Sequence, residues 1–346
     1  MQARARILAE IEQAGGWIPF ARYMQLALHE PGSGYYASGA RKFGPEGDFV
    51  TAPELGKLFG RTLARQLAAF PRILELGAGS GALAEVLLET LDCDYLILET
   101  SSELKERQRA RLGSRVTFLD AMPADFRGAI VANEVADAIP VHVVSWQEGG
   151  IFERGVGPGL AWADRPAQGE LLEAARAIPV PAPYVSEVGL LARAWLRHLV
   201  ESLAEGAIFV IDYGFPRHEY YHPQRSSGTL MSHFRHRSHA DPFARPGGED
   251  VTAHVDFSAL TRAAQDAGAE VLGYATQAQF LVNCGITEVL AESNVENALR
   301  YAPIAAQAQK LLSPAEMGEL FKVLAVGRGI TGPLLGFTRG NRVHTL

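Results

Sequence analysis

Glu75-Leu76-Gly77-Ala78-Gly79-Ser80-Gly81 carries the first chemical signal in this sequence. Glycines let a chain turn sharply and let a ligand approach the backbone closely. The apolar run before the segment reads as a strand, and residues 81–90 read as an apolar-faced helix. The first amides of such a helix can face a polar ligand. Glu99 ends a second apolar run, ~20 residues beyond the loop, where an acid can accept hydrogen bonds from both hydroxyls of a ribose. A turn of small residues with an acid at each end points to a nucleoside that bears a polar tail.

Two cofactor classes share that description. Gly77-x-Gly79-x-x-Ala82 fits the loose dinucleotide fingerprint. Glu75 argues for the other class, because dinucleotide folds normally place an apolar residue two before the first glycine. An acid there suits the methionine end of S-adenosylmethionine, and Gly81 completes a GxGxG spacing. The expected cofactor is therefore S-adenosylmethionine, held by Glu75, Gly77, Ala78, Gly79, Gly81 and Glu99. The rival enzyme class is an NAD(P)-linked oxidoreductase, which would show a thermal shift with NAD and none with S-adenosylmethionine. Asp120 ends a third strand over 116–119, where methyltransferases commonly contact the adenine. Asn133 and Glu134 end a fourth over 128–132. Ligands of open α/β sheets bind at the carboxyl ends of strands near the topological switch point. Asn133, Glu134 and Asp137 are thus candidates to face the transferred methyl, with a helix cap as the alternative role for Asn133 or Asp137.

Positioning these groups requires alternating strands and helices, hence an α/β fold with a mostly parallel sheet. The expectation is a class I, Rossmann-like methyltransferase sheet of seven strands with an N-terminal helical region and insertions. Four consecutive segments follow from the pattern. Residues 1–54 form N-terminal helices and a cofactor-covering loop, and 55–140 the cofactor-binding half of the core. Residues 141–200 form an insertion with a hairpin over 141–146 and 150–153, and 201–346 the second half of the core. The last segment contains a long ordered loop over 215–256. That loop carries His233-x-x-His236-x-x-His239, a spacing that invites a metal. Zinc needs convergent ligands with a supporting shell, and these histidines alternate with Arg235 and Arg237. Lid structure and partner contact are the favoured reading, with no metal.

At 346 residues the chain can hold about two domains. It is 47% hydrophobic and 21% charged with a net charge of −7, which argues against broad nucleic-acid binding. Cys93 and Cys284 form no CxxC pair, so a reducing compartment is compatible. No run of ~18 apolar residues predicts a membrane span. Ile7, Leu8 and Ile11 recur at helical spacing near Glu10 and Glu12, which reads as a helix of the mature protein rather than a leader.

Several longer strings resemble the MidA family. They include Pro31-Gly32-Ser33-Gly34-Tyr35-Tyr36, Gly47-Asp48-Phe49-Val50-Thr51-Ala52-Pro53-Glu54 and Asn133-Glu134-Val135-Ala136-Asp137-Ala138-Ile139-Pro140. Later come Ile211-Asp212-Tyr213-Gly214, Gly228-Thr229-Leu230 and Asp250-Val251-Thr252-Ala253-His254-Val255-Asp256-Phe257. The tail Met317-Gly318-Glu319-Leu320-Phe321-Lys322-Val323-Leu324 fits too. The resemblance implies that Asp48, Thr51 and Glu54 lie near the cofactor or the substrate mouth. Mitochondrial members of that family are complex I assembly factors resembling protein arginine methyltransferases. The implied substrate is therefore an arginine of a partner protein, with a respiratory complex I subunit as the model case. Val135-Ala136 stand where relatives carry bulkier aromatics, and Gly15-Gly16-Trp17 where a Gly-Pro turn is usual. The start without a mitochondrial leader suits a bacterial cytoplasmic member. A homo-oligomer stays open, as does an assembly chaperone that keeps the fold without catalysis. A partner pull-down that survives Gly79→Val, with no methyl transfer, would favour that chaperone.

Overall fold

Ile73, Leu74, Glu75 and Leu76 are buried on both faces of strand β1 (Arg72–Leu76), as a central parallel strand requires. The computed structural model describes residues 2–37, 51–292 and 298–346. Around β1 run β2 (Asp94–Leu98), β3 (Thr117–Leu119), β4 (Phe126–Asn133), β5 (Leu203–Phe215), β6 (Glu270–Thr276) and β7 (Phe321–Arg328). Their order is β6-β7-β5-β4-β1-β2-β3. Strands β1 to β5 are parallel, and β7 is antiparallel to both β5 and β6. Strand order reverses between β1 and β4, so the carboxyl ends of these two strands frame the crevice that such sheets use for ligands. The seven expected strands form this path, within a sheet of eight.

Contacts group the chain into two units, each assembled from three segments. One comprises Val50–Ala136, Leu196–Gly214 and Leu260–Leu346. It holds the sheet and a core that includes Leu63, Ile73, Ile97, Val131, Phe209, Phe280 and Val323. The other comprises Met1–Phe49, Asp137–Trp195 and Phe215–Ala259. Periodicity locates elements and carries no record of which distant segments pack together, so the four consecutive segments expected from it do not show this interleaving.

In the second unit the expected hairpin is longer and part of a larger antiparallel sheet. His142–Gln147 pairs with Gly150–Gly157 and Tyr184–Val188, while Gly150–Gly157 also pairs with Ala161–Pro166 and Ile18–Pro19. The expected loop over 215–256 is not one loop. It contains a helical turn, Arg217–Tyr220, and a three-stranded sheet of Met231–Phe234, Arg237–His239 and Asp250–Thr252. Strands of three or four residues are too short for an alternation to register. His233 lies in the first of these strands, His236 has φ 60 in the turn, and His239 Nε2 bonds Glu249 Oε2 at 3.2 Å. Among the described residues no group of three or more His, Cys, Asp or Glu could hold a metal. No helix among them is long and apolar enough to cross a membrane.

Glu187 pins this region. Its buried carboxylate accepts the Thr229 N–H (3.0 Å), the Thr229 hydroxyl (3.0 Å), the Leu230 N–H (3.1 Å) and the Tyr220 hydroxyl (3.2 Å). Glu187→Ala strands these donors, and unsatisfied buried groups cost about 1–3 kcal/mol each before relaxation. We expect a loss of about 3 kcal/mol, read as a lower urea midpoint. An unchanged midpoint would remove Glu187 from this role.

Candidate functional site

The loop after β1 has the conformation its glycines allow. Gly77, Gly79 and Gly81 have φ of 60°, 54° and 79°, left-handed values that β-carbon-bearing residues seldom adopt. A Cβ on Gly77 would also stand 3.2 Å from Val135 Cγ2. The Gly77 N–H donates to Leu98 O at 3.1 Å, which ties the loop to the end of β2. Gly81 caps helix Ala82–Thr90 without a side-chain bond, so the amides of its first turn rise directly from the loop.

Glu75, one residue before the end of β1, is 3% exposed. The Tyr95 hydroxyl donates to its Oε2 at 2.8 Å. Burial raises its pKa to about 7; the Tyr95 bond opposes the rise, and the charge of Glu99 adds to it. Near neutral pH this acid is balanced between its two forms, so a cation placed against it would draw off the proton.

Glu99 follows β2 and is also buried. Its Oε1 accepts the Ser101 N–H at 2.9 Å, and its Oε2 accepts Gln108 Nε2 at 3.0 Å. Gln108 Nε2 also donates to Gly79 O at 2.9 Å. Sequence reasoning passed over Gln108, although it sits on the buried stripe Leu104, Gln108 and Leu112 of helix Ser102–Leu112. A polar residue on an otherwise apolar helix face was the available signal. Asp120 follows β3 as expected, yet its carboxylate is 94% exposed and paired with Lys105 at 2.6 Å. The Lys105 hydrogen bond and charge hold its pKa below the ordinary aspartate value. Its assignment to an adenine gains nothing from this geometry.

A second group of acids lies at the end of β4. Glu134 has φ 55, a left-handed conformation uncommon for a residue with a side chain. Its N–H donates to Ile211 O at 2.9 Å. Its Oε1 accepts the Ala52 N–H at 3.2 Å and Asn133 Nδ2 at 3.3 Å. Asn133 Oδ1 is buried without a hydrogen-bond partner among the described residues. Asp212, at the adjacent position of β5, accepts the Ala136 N–H at 2.9 Å and its neighbour Tyr213 N–H at 2.9 Å. That buried acid fixes the turn after Glu134, a role its sequence string did not reveal. Glu54 Oε1 accepts the Ser80 hydroxyl, and Arg111 Nη1 reaches the same hydroxyl at 3.0 Å. Thr51 is buried at the start of the short helix Ala52–Leu55. The 51–55 segment therefore touches the glycine loop through Glu54 and the β4 acid through Ala52.

Two expected residues remain. Asp137 begins the next segment of the other unit. There its carbonyl accepts the Ala253 N–H at 3.1 Å, and its charge, with that of Asp250, raises the pKa of the Tyr36 hydroxyl, after the larger effect of burial. Asp48 lies outside the described residues.

The donor set fits S-adenosylmethionine: a positive-φ cradle, a buried acid near its neutral point on one side, and an oriented carboxylate on the other. Comparison with known proteins agrees. The family described as S-adenosyl-L-methionine-dependent methyltransferases matches over residues 58–275. A crystal structure from Burkholderia thailandensis with S-adenosyl-homocysteine bound is 49% identical, with a TM-score of 0.96, and covers 100% of this chain and 96% of that one. The mitochondrial protein arginine methyltransferase NDUFAF7 homolog of Drosophila melanogaster is 28% identical over 97% of this chain and 88% of its own length. The mitochondrial protein arginine methyltransferase NDUFAF7 of Homo sapiens is 27% identical over 90% of this chain and 80% of its own length.

Proposed function

The chain belongs to a family of S-adenosyl-L-methionine-dependent methyltransferases, and from that premise we propose that its acceptor is an arginine nitrogen of a partner protein. The cofactor supplies a methyl already activated on a sulfonium, so the protein's task is alignment and exclusion of water. In this reading Glu75 faces the amino group of the methionine tail, the 77–81 amides line the nucleoside, and Glu99 takes the ribose hydroxyls.

The observation that carries the arginine reading is the pair of acids beside the loop. Glu134 is held in an uncommon backbone conformation at the end of β4, and Glu54 is bonded to Ser80 within the loop. Strained positions of this kind concentrate at functional sites. An arginine guanidinium stays protonated at neutral pH. It needs carboxylates to orient it through paired N–H bonds and to localise its charge, so that one nitrogen can attack. Glu134 is the principal acid of the proposal, with Glu54 as its partner and Asn133 Oδ1 as a further acceptor for a guanidinium N–H. The named mitochondrial relatives support arginine as the acceptor. A respiratory complex I subunit is the substrate to try first.

Incubating cell lysate with the enzyme and methyl-labelled S-adenosylmethionine tests this directly. Mass spectrometry of the labelled protein should place the label on an arginine side chain. Label on lysine, on a carboxylate or only on small molecules would reject the arginine assignment and leave the methyltransferase standing.

A further inference from the structure

We propose that Gln108 is a positioning residue for the cofactor's ribose: its side-chain amide locks the Glu99 carboxylate to the glycine loop and so sets selectivity for a nucleoside bearing both hydroxyls. The inference rests on the assignment of Glu99 to the ribose made above.

Gln108 is fully buried on helix Ser102–Leu112. Its two amide hydrogens go to two acceptors on different elements, Gly79 O in the loop and Glu99 Oε2 after β2. Turning the amide over would put Oε1 against a carbonyl and a carboxylate, so the bonds define the orientation. The amide keeps this orientation although Oε1 is buried with no partner among the described residues. The Ser101 N–H holds the other carboxylate oxygen. Two donors from two directions fix the plane of Glu99.

A fixed carboxylate discriminates where a loose one does not. If Glu99 can rotate, it can turn to water or to one remaining hydroxyl when the other is missing, and the penalty for the missing group shrinks. If it is locked, loss of a hydroxyl leaves an acceptor aimed at nothing.

The test compares S-adenosylhomocysteine with its 2′-deoxy analogue by calorimetry in wild type, Gln108→Met and Glu99→Gln. Methionine keeps the length of the side chain, suits the stripe beside Leu104 and Leu112, and lacks both donors. Gln108→Leu serves as a second variant if Gln108→Met does not fold. Wild type should prefer the ribose ligand by about 10-fold or more, the range of one hydrogen bond to a charged group. In the Gln108 variant that preference should fall to within about three-fold, because only the oriented bond is lost. A merely structural role would weaken both ligands alike and leave the ratio intact. A wild-type ratio in the Gln108 variant, with the ratio lowered in Glu99→Gln, would overturn the proposal. A ratio unchanged in Glu99→Gln would instead overturn the ribose assignment itself, and the proposal with it.

Discussion

Replacing Glu134 by glutamine lowers single-turnover methyl transfer by about two to three orders of magnitude, while S-adenosylhomocysteine binds within about three-fold of wild type. The separation follows from what Oε1 of Glu134 does. It accepts from the Ala52 N–H and from Asn133 Nδ2, and a glutamine oxygen can accept both bonds. The turn, the left-handed φ and the 51–55 segment therefore stay in place. What disappears is the negative charge proposed to orient the acceptor and bias its electrons toward one nitrogen. Charge removal at a preorganised site costs about 3–4 kcal/mol of transition-state stabilisation. Near-normal transfer by Glu134→Gln would remove this residue from the chemistry and shift attention to Glu54.

Glu75 has a double effect. Burial raises its pKa from the ordinary 4.5 to about 7, so the folded protein holds a proton that the unfolded chain releases at lower pH. That favours the folded state below the unfolded pKa, and the advantage is lost as pH rises through about 7. Full expression of the shift would be worth about 3 kcal/mol. In the absence of cofactor, wild type should therefore lose stability between about pH 4.5 and pH 8 from this group, and Glu75→Gln should flatten that slope. Cofactor binding should run the opposite way. It should tighten as pH rises through about 7, because the charged carboxylate is the form that attracts the tail's ammonium. Glu75→Gln should weaken S-adenosylmethionine by about 10- to 100-fold at pH 8, the range of a charge-assisted hydrogen bond. Thermal melts and calorimetry across pH 5–9 would read both slopes. A variant with wild-type affinity at pH 8 would end the tail assignment, and one with an unaltered melt profile would end the buried-proton account.

The parts legible in the sequence were those in which one short segment contains its own explanation. Arg72–Leu76 is a strand with the bounds its apolar run implies, and the glycines that follow adopt the positive φ their chemistry permits. Glu75 and Glu99 could be singled out because strand ends adjoin ligands in this class of sheet. Residues acting across sequence distance were not legible. Tyr95 braces Glu75 from the next strand, Gln108 braces Glu99 from the next helix, and Asp212 braces the Glu134 turn from β5. Each is an ordinary residue type whose role arises only when tertiary packing supplies its partner. The short strands between Met231 and Thr252 escaped for a different reason: three or four residues cannot display a period.

The interleaving of segments governs how the protein can be made. Ile7 and Ile11 of the first helix share a core with Val156, Leu160 and Val251, and strand β4 must await β5 across the whole 137–195 segment. A ribosome adding about 5–20 residues per second therefore exposes greasy helices and unpaired strand edges for seconds before their partners emerge. The nascent chain is a natural client for holding chaperones, and no single cut separates one unit from the other.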